Sequence, residues 1–541
     1  MEPLDLPPYT GEPVVVVGNG PVGQTTALLL ARWGIPTRVL DHRPARDLVG
    51  SRAICQHRDV IDVWDSVGVG QQVADEGVTW DLARTFYREH ELFSVGFTDA
   101  GRSPFPPFVN LSQCRTEELL DEQIAATALV DVHWAHTATE LRNADQAVEV
   151  DVAPADATAE GAATWRAPYA VVCAGARSEP IRDCLEVSFD GRSFDDHFLI
   201  CDIRADLPGW ERERRFYFDP EWNPGRQVLI HPCPDSTYRI DWQVPAGFDV
   251  EAEAASGALD ARIRQIIGDV EYEIVWRSVY RFQSRCADQM RAGRVLLAGD
   301  CAHLYAPFGA RGLNSGVADA ENAAWKLAFV LRGWADERLL DSYHTERRAA
   351  ALENLDVTTR TMDFLVPQTE QARRHRQDVL DRALTDPAAR ADVDSGRLYE
   401  SFWYVDSALT TPDPTRTPAT RPPRGQAPSP GAGVLLPDGP VIDPESGRPA
   451  RLRTVCRRGL TVLVVDDRDV HLVRDAVRDV VAAPVAVHGL AELDPSRSLL
   501  ASLGTRSGEA WVIRPDAAVS AIVSASDGAA VAAAVRRTVA C

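Results

Sequence analysis

Two groups of residues in this chain have the types and spacing to hold a large ligand that is part anion and part polyol. The first is Gly18-Asn19-Gly20-Pro21-Val22-Gly23, which follows the apolar run Val14–Val17 without a gap. The second lies near residue 300. Asp300 ends the apolar run 295–298, a loop with Pro307, Gly309 and Gly312 follows, and a helix pattern begins near Asn314. A carboxylate accepts hydrogen bonds from hydroxyls. The free N–H groups and positive dipole end of a helix attract negative charge. A strand that brings both to one point builds a site for such a ligand.

Other elements must position these residues. A helix pattern spans 21–33, the run 35–40 reads as a second strand, and Asp41 ends it, 18 residues after Gly23. Strand, glycine turn, helix, second strand and acid are the context a dinucleotide-binding fingerprint requires. Gly18 allows the tight turn, Gly20 lets backbone approach a pyrophosphate, and Gly23 lets helix and strand pack closely. Asp41, followed by His42 and Arg43, is placed to accept from an adenosine ribose. The plainer alternative is a glycine-rich turn in an ordinary α/β domain, and the acid after the second strand argues against it.

At 541 residues the chain is long for one core, so two or three domains are expected. A net charge of −22 argues against binding a phosphate backbone, which needs basic patches. No run approaches the roughly 20 apolar residues of a membrane helix, and the first dozen residues lack a basic leader, so a cytoplasmic protein is expected. The ten cysteines are scattered with no CxxC pair, which fits buried thiols and offers no zinc pattern.

After Asp41, Arg43 and Arg46 fit solvated surface positions, although a basic side chain here could also meet a pyrophosphate. Arg52 stands at a loop-to-helix junction and fits a ligand contact better. Residues 78–110 read as strands of a second layer. Ser112 or Thr116 could cap the helix that follows, and Gln113 could face a cofactor chain. The segments 130–136 and 146–152 read as a strand pair, with 153–163 as a hairpin loop. The segment 169–173 is another buried strand, followed by a glycine turn, with Arg182 beyond it. From 189 to 244 short alternating stretches separated by turn residues indicate an antiparallel sheet, and 272–285 returns to it. Residues 339–405 read as mostly helical, and 410–433 as a linker rich in Pro, Thr and Arg. The remainder, about 433–541, reads as a small α/β domain.

The fingerprint at 18–23, the turn Cys173-Ala174-Gly175-Ala176-Arg177-Ser178 and the Gly299-Asp300 stretch fall in the order and spacing of a known family. The chain resembles the single-component, para-hydroxybenzoate-hydroxylase-like FAD-dependent aromatic hydroxylases over nearly its whole length. Its end, with Val-Ile-Arg-Pro-Asp-Ala-Ala-Val-Ser-Ala-Ile at 512–522, resembles the tail of the phenol hydroxylase branch, which includes hydroxyphenylpropionate and polyketide hydroxylases. That tail lacks redox cysteines here and so reads as structural.

The resemblance implies an α/β fold: a Rossmann-like FAD-binding domain (1–185 and 281–405), an inserted antiparallel-sheet substrate domain (186–280, with a contribution from 78–110), a linker (406–432) and a thioredoxin-like C-terminal domain (433–541). It implies FAD as cofactor and NADPH or NADH as co-substrate. Asp41 corresponds to the acid on the adenosine ribose, and Arg52 and Gln113 resemble residues along the FAD chain. Asp300 resembles the acid on the ribitol. Pro307, Gly309, Gly312, Leu313 and Asn314 resemble the loop against the isoalloxazine. One departure is Ala174, where the family usually has an Asp associated with FAD and the nicotinamide.

The cycle the resemblance implies uses O2 and a flavin C4a-hydroperoxide to hydroxylate a phenolic or polyketide-like aromatic. Two alternatives are a Baeyer–Villiger-type oxygen insertion and a flavin-binding protein with impaired NAD(P)H turnover. On the substrate sheet Tyr217, His231, Asp241 and Gln243 are candidates to face the ring, with Tyr217, His231 and Gln243 carried as the catalytic set. His303 reads as a structural hydrogen-bonding residue, Trp325 as packing and Lys326 as surface. The expected partners are a small aromatic substrate and O2, with no nucleic acid and no membrane, and a homodimer at the level of family analogy.

Overall fold

The computed structural model describes residues 4–48, 53–97, 103–154, 162–413, 416 and 429–541. Val14–Val17 is fully apolar because it lies in the middle of a sheet covered on both faces. That sheet has six strands. Val295–Leu297, Ala170–Val172, Val14–Val17, Thr37–Asp41 and Val130–Trp134 run parallel in that spatial order, and Arg291–Ala292 closes one edge antiparallel. The helices Pro21–Arg32 and Gly312–Leu331 pack against each other beside it.

The expected second sheet is present with eight strands, antiparallel except that Leu82–Tyr87 pairs parallel with Glu213–Phe218. Phe189–Ala205, Glu213–Phe218, Gln227–Cys233, Thr237–Val244 and Tyr272–Ala287 form its body. Leu82–Tyr87 and His90–Gly96 extend it from the 78–110 region. His303–Leu304 is its opposite edge, pairing with Arg285 and Cys286. The chain therefore leaves the parallel sheet at Leu297 and enters the antiparallel sheet at His303. The short turn Gly299–Cys301 is the hinge point between the two layers.

One reading of the sequence is corrected. The segment 130–136 does not pair with 146–152. Val130–Trp134 joins the parallel sheet beside Thr37–Asp41, and the chain breaks at Ala135, whose φ is +55°. Ala147–Pro154 pairs instead with His136–Ala144 and Ala163–Ala167. Val130 and Val132, half-buried, pack on the main core from the edge of the parallel sheet. The segment 339–405 is mostly helical, as expected. Asp341–Leu365 and Glu370–Thr385 are helices, but after the short turn Pro387–Asp392 the chain is irregular. Its carbonyls are used elsewhere: Arg311 donates to Arg397 O and Leu398 O, and Tyr399 N donates to Gly309 O at 2.7 Å. This segment lies along the glycine loop.

The C-terminal part has a four-stranded mixed sheet, ordered Val485–Gly489, Leu460–Val464, Glu509–Ile513 and Val519–Ser524. Val470–Val477 and Gly528–Thr538 flank it. The expected linker lies mostly outside the described residues, but Thr411 N donates to Ser520 O, and Arg416 pairs with Glu509. All ten cysteines are free thiols, and Cys184 and Cys541 are exposed. Among the described residues no helix is long and apolar enough to cross a membrane.

Candidate active site

The two chemically suggestive segments meet at Val22. An ideal Cβ on Gly316 would stand 2.6 Å from Val22 Cγ2, and one on Gly299 would stand 3.1 Å from it. Glycine at 299 and 316 thus lets the acid turn and the second helix close on the first helix. Gly18, with φ +105°, abuts the end of the neighbouring strand, where its Cβ would lie 2.5 Å from Cys173 O. That contact places the Ala174 turn against the fingerprint.

The helices Pro21–Arg32 and Gly312–Leu331 both start without a side-chain cap and without an acid in the first turn. Their leading N–H groups are thus left for another acceptor. A Cβ on Gly20, Gly175 or Gly312 would meet nothing within 4 Å, so space lies beside all three. Asp300 is exposed at the same junction. Space next to Gly20 and Gly312, two uncapped helix starts and an exposed carboxylate between them fit an FAD spanning the groove. Asn314, fully buried, fixes the loop: His57 N donates to its Oδ1 at 2.9 Å, and its Nδ2 donates to Cys55 O and Ala310 O. Pro307 is exposed and Leu313 half-buried on this stretch. Arg397 O would sit 2.1 Å from a Cβ on Gly309, whose φ is +92°, so glycine is required there.

At the other end Asp41 is buried, and its carboxylate accepts from Asn19 N, Arg43 N and two guanidinium nitrogens of Arg43. Burial alone would raise its pKa, but the Arg43 hydrogen bonds hold it below the usual carboxylate range. These bonds fill the four lone-pair sites, so a ribose diol at Asp41 has to displace the Arg43 guanidinium. His42 is exposed beside them. Arg46 does not sit on the solvated surface, as expected from the sequence. Its side chain is 8% exposed and joins Asn19 O, at 2.6 Å, to Glu117 and Asp121. It thereby ties the glycine turn to the helix Gln113–Ala125, which Ser112 caps. Gln113 accepts from Ala53 N and donates to Glu117. Arg52 lies outside the described residues. Arg182 is not at the groove mouth. It donates to Cys301 O and covers Phe189, bracing the acid turn.

Asp319 was not singled out from the sequence. Fully buried, it accepts from Gly299 N at 3.0 Å, His303 Nε2 at 2.7 Å and Arg347 Nε at 2.7 Å. Burial works against its charge, and His303 and Arg347 overcome that and lower its pKa. It holds the Asp300 turn in place. An acid seven residues into a helix gives no sequence cue, because its partners lie 16 to 28 positions away.

The three catalytic candidates fall in different surroundings. Tyr217 stacks on Phe86 with ring centroids 4.6 Å apart and packs with the cluster under the helix Ala258–Ile267. Phe216 and Phe218, on either side of it, pack instead toward Ala306 and Phe308. Tyr217 therefore points away from the glycine loop. Gln243 is buried and donates to Asp196, with its oxygen accepting from Gln227 N. His231 shares the loop-facing side of the sheet with Leu229.

A parallel dinucleotide-type sheet whose strand Val295–Leu297 leads through a short turn into the edge of a second sheet is the architecture that the comparisons with known proteins place among flavin-dependent oxidoreductases. The FAD binding domain family model matches residues 12–358, and the chain belongs to that family. It is 32% identical over 363 residues to a flavin-dependent monooxygenase of Mycobacteroides abscessus, covering 64% of this chain and 73% of the relative. It is 28% identical over 459 residues to a 3-(3-hydroxy-phenyl)propionate/3-hydroxycinnamic acid hydroxylase of Mycobacterium sp. (strain JLS), covering 84% and 76%. The flavin-dependent monooxygenase PieE, solved with FAD and substrate, shares the fold at TM-score 0.84 and 23% identity, covering 99% of this chain and all of that one. Aklavinone-11 hydroxylase does so at TM-score 0.76 and 24% identity, covering 99% and 100%. The protein is an FAD-dependent monooxygenase of the single-component aromatic hydroxylase type, and FAD is its cofactor.

Proposed function

We propose that this enzyme uses NADPH or NADH and O2 to hydroxylate a phenolic or polyketide-like aromatic. The observation that carries this reading is the seating of Val22 against Gly299 and Gly316, which brings the fingerprint and the acid turn to one groove beside the substrate sheet. Gly18, Asn19, Gly20, Pro21, Val22 and Gly23 are assigned to the pyrophosphate, and Asp41, His42 and Arg43 to the adenosine end. Arg52 and Gln113 are assigned to the chain between, and Asp300 to the ribitol. Pro307, Gly309, Gly312, Leu313 and Asn314 are assigned to the isoalloxazine. These residues would hold FAD, which would supply the redox chemistry by taking a hydride from the nicotinamide and passing one atom of O2 to the substrate while the other leaves as water. The protein's part is to orient it, to offer N–H groups at Gly312–Asn314 to developing negative charge, and to keep water out.

The reading is tested on the purified protein. A flavin spectrum is expected, with NADPH or NADH oxidation stimulated by members of a phenol panel and a product that gains one oxygen atom. Bound flavin that neither nucleotide reduces would overturn it. Asp300→Ala should purify largely colourless, because the ribitol loses its acceptor, and a variant with a full complement of FAD would remove that assignment.

A further inference from the structure

The loop-facing side of the substrate sheet carries polar groups that the FAD assignments leave unused. Arg239 is opposite His231 on one neighbouring strand and Asp202 on the other, and Asp241 is opposite Leu229 and Ile200. These residues therefore share one face, with Asp241 and His231 on a diagonal, roughly 7 to 8 Å apart between Cα atoms. Phe216 is opposite Leu229, so Arg214, two residues before it, lies on the same face. Leu229, Phe216 and Phe198 from this face pack on Ala306 and Phe308, and Cys233 packs with Cys55, Phe108 and Ala310. The polar row is thus enclosed between the sheet and the stretch leading into Gly312.

Asp241 Oδ1 and His231 Nδ1 are buried atoms with no hydrogen-bond partner. Leaving such an atom unmet costs stability, and a ligand that meets it removes the cost. Both side chains nevertheless keep some accessible surface, so there is space beside them. Arg239 is already committed, holding Asp202 through two bonds of 2.7 and 2.8 Å.

We propose that Asp241 is the base that takes the ring-hydroxyl proton of the phenolic substrate, with His231 as a second polar contact to that oxygen. This rests on the hydroxylase reading above. The phenol O–H bond breaks, the proton moves to Asp241 Oδ1, and the electron pair stays on the phenolate oxygen. Negative charge spreads to the ring carbons ortho and para to it, which makes them better nucleophiles toward the incoming oxygen atom. Arg214 stands on the same face to balance that charge, and the proton returns when product leaves.

The charged and titratable groups around Asp241 agree with this role. Burial and Asp202 push its pKa up to about 7, while Arg239 and Arg214 pull it down. A base that titrates near neutral pH is suited to proton transfer. Burial, with Arg214 and Arg239, keeps the His231 ring well below the usual imidazole range and so neutral. Asp202 and Tyr280 also lie on this face, and Cys233 there is pushed up to about 12 by burial and stays a thiol.

The test uses the holoenzyme and the most active phenol of the panel, together with its ring-fluorinated analogue, whose hydroxyl is more acidic. Asp241→Asn should lower phenol-stimulated turnover by about 10²–10⁴-fold, and the loss should shrink at least about tenfold on the fluorinated analogue. Undiminished turnover, or an equal loss on both phenols, overturns the proposal. Should the variant lose FAD, the wild type carries the test. Its turnover should rise as pH increases through about 7, the value to which Asp241 is shifted, and that midpoint should stay in place on fluorination. A midpoint that moves with the phenol's own pKa overturns the assignment. If no phenol stimulates turnover, the hydroxylase reading fails, and this proposal falls with it.

Discussion

Gly18→Ala is expected to purify in low yield and without FAD. The φ of +105° at this position disfavours any residue with a Cβ, a cost of about 1–3 kcal/mol. The added Cβ would also stand 2.5 Å from Cys173 O and 2.7 Å from Cys173 C, which are backbone atoms with no rotamer to retreat to. The turn is bonded on both sides: Gly18 N donates to Leu40 O and Cys173 N to Val17 O, each at 2.7 Å. Moving it loosens the three strands that carry the fingerprint, Asp41 and the Ala174 turn. FAD affinity should fall by at least ~100-fold, or ~2.7 kcal/mol, and the thermal midpoint of the apoprotein should fall with it. Gly20→Ala separates the two effects. Its φ is −86° and its Cβ would meet no protein atom within 4 Å, so the apoprotein should keep its midpoint while the methyl group blocks the pyrophosphate. Flavin-to-protein ratio and apoprotein melting, read on both variants, decide the matter. A yellow Gly18→Ala protein with the wild-type midpoint would show that the turn tolerates a side chain.

The fingerprint was legible because each of its requirements is local: a four-residue apolar strand, a glycine turn and an acid after the next strand. The second sheet was legible for the same reason, since polar and apolar residues alternate in 237–244, although both of its faces are covered. What the sequence did not carry is pairing at a distance. The segment 130–136 has a strand pattern that fits either sheet, and the break at Ala135, with φ +55°, sends 130–134 to one sheet and 136–144 to the other. Arg43 and Arg46 follow a turn and look like surface arginines, yet they close on Asp41, Glu117 and Asp121, the last two of them more than 70 positions away. Lys326 is the clearest reversal. A lysine beside a tryptophan on a helix reads as the solvent face, but the helix Gly312–Leu331 is covered by other elements on nearly every side, and Lys326 is fully buried. Tyr217 and Asp241 show the same limit in the site. Both lie on predicted strands, and the face each presents depends on which residues of the next strand stand opposite.

Glu346→Ala is the second large effect expected, and it tests what surrounds that lysine. The Glu346 carboxylate is buried and accepts from Lys326 Nζ at 2.7 Å, from Arg514 at 2.7 and 2.9 Å, and from Asn322 and Ser407. Burial alone would neutralise it, but Arg514 and Lys326 hold its pKa far below the usual carboxylate range. Burial pulls Lys326 down to about 8 even against that partner. Removing Glu346 leaves Arg514 with Asp516 at 2.6 Å, whereas the ammonium of Lys326 loses the carboxylate that compensates it. Breaking a buried pair from one side costs about 3–5 kcal/mol, more than the net worth of the intact pair, because the remaining charge is stranded. The expected result is a loss of that size in urea unfolding of the holoenzyme. Circular dichroism serves as the readout, because the signals of thirteen tryptophans would overlap in fluorescence. Removing both charges in Lys326→Met/Glu346→Gln should recover more than half of the loss, because nothing charged is then left without a partner. A single variant within ~0.5 kcal/mol of wild type would mean that water or a rearranged Asp516 compensates Lys326. The junction between the helix Gly312–Leu331 and the C-terminal sheet would then be held by its apolar contacts rather than by this charge cluster.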